Sequence, residues 1–150
     1  MFRPLLLFLL LTAVLGLGSC QSGPRAVRLG QDECAHCRMT VVKAEFAAQL
    51  VTGKGRQYVF DDLLCLASFL RENPEVAGPA PQLLVADFSE PATWLPVEQA
   101  QLLRSTAFRS PMNGQLAAFA TAAAAQAAEG KLSQPAKIIS WNDVGQLQVH

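Results

Sequence analysis

Histidine is nearly missing from this chain: there are two in 150 residues, His36 and the terminal His150. So little imidazole leaves small general-base capacity near neutral pH. Sequence motifs that assemble reaction centres are missing as well, with no His-Glu-x-x-His, no Gly-x-Ser-x-Gly and no phosphate-cradling glycine loop. A surplus of one charge is lacking too. Twelve basic residues stand against twelve acidic ones, so nothing is available to grip nucleic-acid phosphates and no large field steers charged partners. After Leu17 no apolar run approaches the roughly 20 residues that span a bilayer. These absences favour binding over catalysis.

The N-terminus is where long apolar character is found. Arg3 precedes an apolar stretch from Leu5 to Leu17, which has the length of a signal-peptide core and is short for a span. The following Gly18-Ser19-Cys20 completes a Leu-Gly-Ser-Cys junction that resembles the lipobox of bacterial lipoproteins, whose cysteine sulfur carries a diacylglycerol. The expectation is a lipoprotein signal peptide over 1–19, a lipidated Cys20 and a short polar tether over 20–30. The chain would then be extracytoplasmic and lipid-anchored, on the periplasmic side of the cell envelope. At about 0.8 kcal/mol per buried CH₂, two or more acyl chains anchor stably where one does not.

Lipidation of Cys20 leaves three of the four cysteines, Cys34, Cys37 and Cys65. Three thiols cannot all pair within one chain, although an exported protein meets oxidising conditions. A disulfide framework therefore fits poorly.

Residues 31–150 predict one α+β domain. Phe46–Thr52 and Arg56–Phe60 read as a hairpin around Gly53-Lys54-Gly55. Asp61 or Asp62 is placed to cap a helix whose apolar positions 63, 66, 67 and 70 have helical spacing, and Asn73-Pro74 stops it. After a Pro/Gly-rich linker the order recurs more loosely. Gln82–Phe88 and Thr106–Arg109 read as strands, Leu95–Leu103 as ambiguous with a helical turn, and Ala-rich Gln115–Glu129 as a helix ended by Gly130. Ala26–Gly30 and Ile138–Trp141 are further strand candidates. The sum is two ββα-type units, about 31–75 and 82–130, packed as a small sandwich, with a C-terminal segment.

The chemistry sits in Asp32-Glu33-Cys34-Ala35-His36-Cys37-Arg38-Met39. Cys-x-x-Cys lets two sulfurs face one centre, and Met39 can add a third. Thiolate with thioether selects soft ions, Cu(I) foremost, whereas structural zinc usually takes four thiolate or imidazole ligands. Two other uses remain open at this point. The pair can serve thiol–disulfide exchange, although an acidic residue precedes Cys34 and no βαβ pattern surrounds it. It can also be a structural disulfide of an interaction module. Cys65, in apolar company, reads as a buried small hydrophobe, and Met112, in the turn Ser110–Gly114, as a packed residue.

Taken in order, the lipobox, Asp-x-Cys-x-x-Cys-x-Met, the Gly-containing hairpin, Phe60-Asp61-Asp62-x-x-Cys65-Leu66 and Ser110-Pro111-Met112-x-Gly114 resemble the NosL family. Those proteins are lipoprotein copper chaperones associated with nitrous oxide reductase maturation. The resemblance covers about Asp32 to Glu129. It implies two ββα units and Cu(I) held around Asp32, Cys34, Cys37 and Met39, with Met112 from the second unit. It also implies two kinds of partner, apo-nitrous oxide reductase and a membrane copper exporter or ABC-type accessory complex. Family members commonly carry Gly before the motif's Met, where this chain has Arg38.

Overall fold

The computed structural model describes residues 23–147; the expected signal peptide and lipidated Cys20 lie outside the described residues. Strands β1 (Ala48–Val51) and β2 (Gln57–Phe60) form the first hairpin, with Ala48 opposite Phe60 and Val51 opposite Gln57. Its turn is closed by Thr52 N–H to the Arg56 carbonyl at 2.8 Å. Gly55 takes φ +81°, a left-handed conformation that glycine adopts without steric cost.

Helix α1 (Leu63–Glu72) has the predicted bounds. Asp62 caps it by accepting the Leu64 N–H at 2.8 Å, and Asn73 closes its end by donating to the Phe69 carbonyl. Pro74, at the first position of a helical turn, opens the one-turn helix α2 (Pro74–Ala77). Strand β3 (Gln82–Ala86) pairs antiparallel with the free side of β1, and β4 (Trp94–Pro96) pairs with β3, giving the order β2-β1-β3-β4. The strand read from Gln82 therefore completes the first sheet. A second sheet, ordered β6-β5-β7, is built from β5 (Gln101–Ser105), β6 (Leu116–Phe119) and β7 (Ala136–Ile139). Helices α3 (Ala122–Glu129) and α4 (Trp141–Val144) complete an α+β fold of helices and two small antiparallel sheets.

Three local expectations are corrected. Thr106–Arg109 is a turn, with Phe108 N–H returning to the Ser105 carbonyl, and the strand lies just before it in β5. Ala26–Gly30 pairs with no strand. It is held instead by the Gly30 N–H on the Val41 carbonyl and the Arg28 N–H on the Asp32 carboxylate, while just before it Gln49 exchanges hydrogen bonds with the Arg25 backbone and Gln57 donates to the Gly23 carbonyl. The Ala-rich helix begins at Ala122, because Leu116–Phe119 is a strand. Leu116 and Ala118 enter one apolar cluster while Ala117 and Phe119 enter another. Only the two-residue period of a strand sends successive side chains into two opposed layers, and this burial overrides alanine's helical preference.

The main core joins the first sheet, α1 and one face of the second sheet through Leu50, Phe60, Leu66, Phe69, Val85 and Leu102. Cys34 and Cys65 are part of it. Phe46, Phe108 and Phe119 pack with Ala125 on the other face of the second sheet. Val41, Ala47 and Val59, under Val27, fill the outer face of the first. Both sheets are covered on both sides, which is why β1 and β6 are buried at every position.

Thr121 fixes the start of α3 by accepting the Ala124 N–H at 3.1 Å. Thr121→Ala is expected to destabilise the domain by about 1 kcal/mol in urea unfolding. A helix running from Gln115 would place residue 121 in its interior, where alanine stabilises by a few tenths of a kcal/mol. The sign separates the two.

Candidate metal centre

The Asp32–Met39 motif folds as a tight loop on the edge of the first sheet. Glu33 and Thr40 form an antiparallel bridge. Cys34 N–H bonds the Met39 carbonyl at 2.8 Å, Arg38 N–H bonds the Cys34 carbonyl at 3.1 Å, and Ala35 N–H docks the loop on the Val59 carbonyl at 2.8 Å. The loop closes through Arg38 at φ 66°, a left-handed conformation that explains why glycine suits this position. The exposed Arg38 guanidinium pairs with Glu33 at 2.6 Å. His36 Nδ1 lies 3.4 Å from Glu72 Oε2, tying the loop to the end of α1.

This closure turns Cys34 into the core and leaves Cys37 half-buried. Asp61, at the end of β2, and Cys65, on the first turn of α1, meet them from the other side. The four donor atoms of Cys34, Cys37, Asp61 and Cys65 all lie within 4.8 Å of one another. Cys37 Sγ is 3.5 and 3.6 Å from the two Asp61 carboxylate oxygens. Cys34 and Cys65 are wholly inaccessible and Asp61 is 1% exposed.

The protons are unevenly held. The Cys65 thiol donating to Cys34, with backbone N–H groups of Asp61, Cys37 and His36, lowers Cys34 to about 6 despite its burial. Burial, with the neighbouring Cys34 and Asp61, raises Cys37 to about 11. Cys65 is pushed well above the thiol range, first by its bond to Cys34 and then by burial. Without a cation the cluster thus concentrates negative charge on Cys34, stabilised by hydrogen bonds. Metal–thiolate bonds of about 2.3 Å span at most about 4.6 Å across one ion, so a small contraction makes this set a chelate. Three thiols suit a soft ion, and the carboxylate offers a weaker fourth contact.

The residues expected around the ion occupy different surroundings. Cys34 and Cys37 are together in the cluster. Asp32 is buried, and its carboxylate accepts from Arg25 Nη1, from Arg28 Nε and Nη2 at 3.1 and 2.9 Å, and from Arg28 N–H at 2.8 Å. The Arg25 bond foremost holds its carboxyl down to about 2. Its role in the structure is to pin the N-terminal segment beside the loop. The Met39 side chain is 54% exposed. Met112 is half-buried against the cluster that contains Cys34 and Cys65. Sequence reasoning did not assign Asp61 or Cys65 to the cluster. The available signals were the odd thiol count and the place of Asp61 and Cys65 on either side of the expected helix N-cap, close together in sequence.

Asp62 places the Met112 loop. Besides capping α1, its carboxylate accepts the Met112 N–H at 3.2 Å and bonds Ser110 and the Gly114 N–H. Burial raises its pKa against these bonds. A Cβ on Gly114 would come 2.7 Å from Asp62 Oδ1. Ser110 and Gly114 therefore flank Met112 because both must close on one carboxylate.

Comparisons with known proteins agree with this architecture. A sequence model of the NosL family matches residues 27–146. The fold is similar to the crystal structure of the copper chaperone NosL from Shewanella denitrificans, at 19% identity and TM-score 0.68, over 85% of this chain and 98% of that one. No curated protein matches the chain in sequence.

Asp62→Ala removes the cap and three loop anchors, and a loss of about 2–3 kcal/mol in chemical denaturation is expected. Gly114→Ala, which adds one methyl, is expected to destabilise in the same assay through the clash with Asp62.

Proposed function

Because the chain belongs to the NosL family, we propose that it is an extracytoplasmic Cu(I) carrier, tethered to a membrane through lipid on Cys20. The observation that carries this reading is the convergence of three thiols and a carboxylate on one point. Such a set has soft-ion chemistry and little else: among the described residues His36 is the one imidazole, and it is turned to Glu72. The protein would take Cu(I) from a membrane exporter or ABC-type accessory complex and release it to apo-nitrous oxide reductase through a shared-ligand intermediate. Met39, exposed beside the loop, and Met112, held against the same core by Asp62, supply neutral and exchangeable sulfur for that passage. Asp32 serves by fixing the loop. The lipid would confine the carrier to the membrane where copper emerges, raising its effective concentration there.

Thiol–disulfide exchange is the less suitable use of the same sulfurs. It needs a thiolate that is both low in pKa and accessible. Here Cys34 is low but wholly buried, and Cys37 is accessible but raised to about 11.

Titration with Cu(I) against a chromogenic chelator tests the proposal. The wild-type chain is expected to strip copper from the chelator at one equivalent, and Cys34→Ser/Cys37→Ser/Met39→Leu to compete at least a hundredfold less well. Equal, weak competition by both would remove the carrier reading. Insulin reduction by the wild type, lost on cysteine substitution and kept in Met39→Leu, would favour the redox use instead.

A further inference from the structure

The four donors of the cluster are not equivalent in access. Cys34 enters from the loop and Cys65 from α1, and both are at 0% exposure inside the main core. Asp61 is 1% exposed. Cys37 alone is half-buried, at the loop's surface side. It is also followed by side chains that lie outside the core: Arg38 is exposed, and Met39 is more than half exposed. Cys34, by contrast, is fixed by its own N–H to Met39 and by its carbonyl to Arg38, and Cys65 by its N–H to Asp62.

We infer that the site is divided into a retaining pair, Cys34 and Cys65, and a single exchange arm, Cys37, over which the ion enters and leaves. This rests on the Cu(I)-carrier reading above and deepens it. An incoming donor cannot reach the ion past Cys34 or Cys65 without opening the core. It approaches from the Cys37 side. In the transfer step one bond forms between copper and the incoming donor as the copper–Cys37 bond breaks. The freed Cys37 thiolate takes a proton from solvent, and copper stays in the +1 state throughout. The ion then rests on Cys34, Cys65 and the acceptor until the acceptor supplies a second donor. Asp61, 3.5 Å from Cys37 Sγ, accepts from the protonated thiol and keeps the freed arm at the mouth of the site.

The division makes unequal predictions for chemically equal substitutions. The full chain, purified in detergent and loaded with one equivalent of Cu(I), is mixed with excess chromogenic bidentate chelator, and both the release rate and the equilibrium competition are read. Cys37→Ser is expected to retain copper within about tenfold of the wild type at equilibrium while releasing it at least tenfold faster, because the displacement of Cys37 is removed. Cys34→Ser and Cys65→Ser are each expected to lose at least a hundredfold in competition. Equal losses for all three, or an unchanged release rate in Cys37→Ser, would overturn the inference. Should either buried variant fail to fold by circular dichroism, maleimide labelling of the wild type followed by peptide mass analysis decides. Cys37 is expected to react first in the copper-free chain and in step with copper release in the loaded one, with Cys34 and Cys65 following. Simultaneous labelling of all three would contradict the division. A wild type that binds no Cu(I) would instead remove the carrier reading itself.

Discussion

The carboxylate of Asp62 is the constraint on which the rest of the site depends. It sits where β2 becomes α1, buried, and accepts from the first turn of the helix and from the Ser110–Gly114 loop. A buried carboxylate left unpaired would be costly, so its donors are held in place by the same free energy that keeps the fold closed. One side of that junction presents Asp61 to the thiols, and four residues on, α1 presents Cys65. The other side of it holds Met112 against the core. Two adjacent aspartates thus divide the work: one faces the sulfurs, and one ties the two halves of the domain together around them.

A second carboxylate does the same for the loop. Asp32 takes four hydrogen bonds from Arg25 and Arg28. Gln49, fully buried on β1, holds the Arg25 backbone from below. Part of the expected tether, at Arg25 and Arg28, is therefore bound to the loop that carries Cys34 and Cys37.

Much of the first half of the domain could be read directly. The hairpin around Gly55 and the helix Leu63–Glu72 have strong local signals, namely a glycine in a left-handed turn, an Asp cap and regular apolar spacing, and tertiary packing agrees with each. The second half is harder because local and global preferences conflict. Leu116-Ala117-Ala118-Phe119 looks helical by composition and is a strand because two apolar layers need it on both sides. β3 joins β1 across the linker, a pairing that no local pattern encodes. The site divides the same way. Cys34 and Cys37 announce themselves by spacing, whereas Cys65 reads as core and is core, and only the fold brings its sulfur to the other two thiols. Asp32 attracted a metal role through its place in the motif, and its charge is already matched by two arginines that sequence spacing does not assign to it.

The chain thus joins a soft-donor cluster, almost sealed by the core, to one accessible sulfur and a loop braced by two buried carboxylates. The central claim is that the fold brings the sulfurs of Cys34, Cys37 and Cys65 onto one ion. X-ray absorption at the copper edge of the Cu(I)-loaded chain tests it most directly. The account predicts a first shell dominated by sulfur, which loses one sulfur in Cys65→Ala. A shell dominated by nitrogen or oxygen, or one unchanged in that variant, would contradict it.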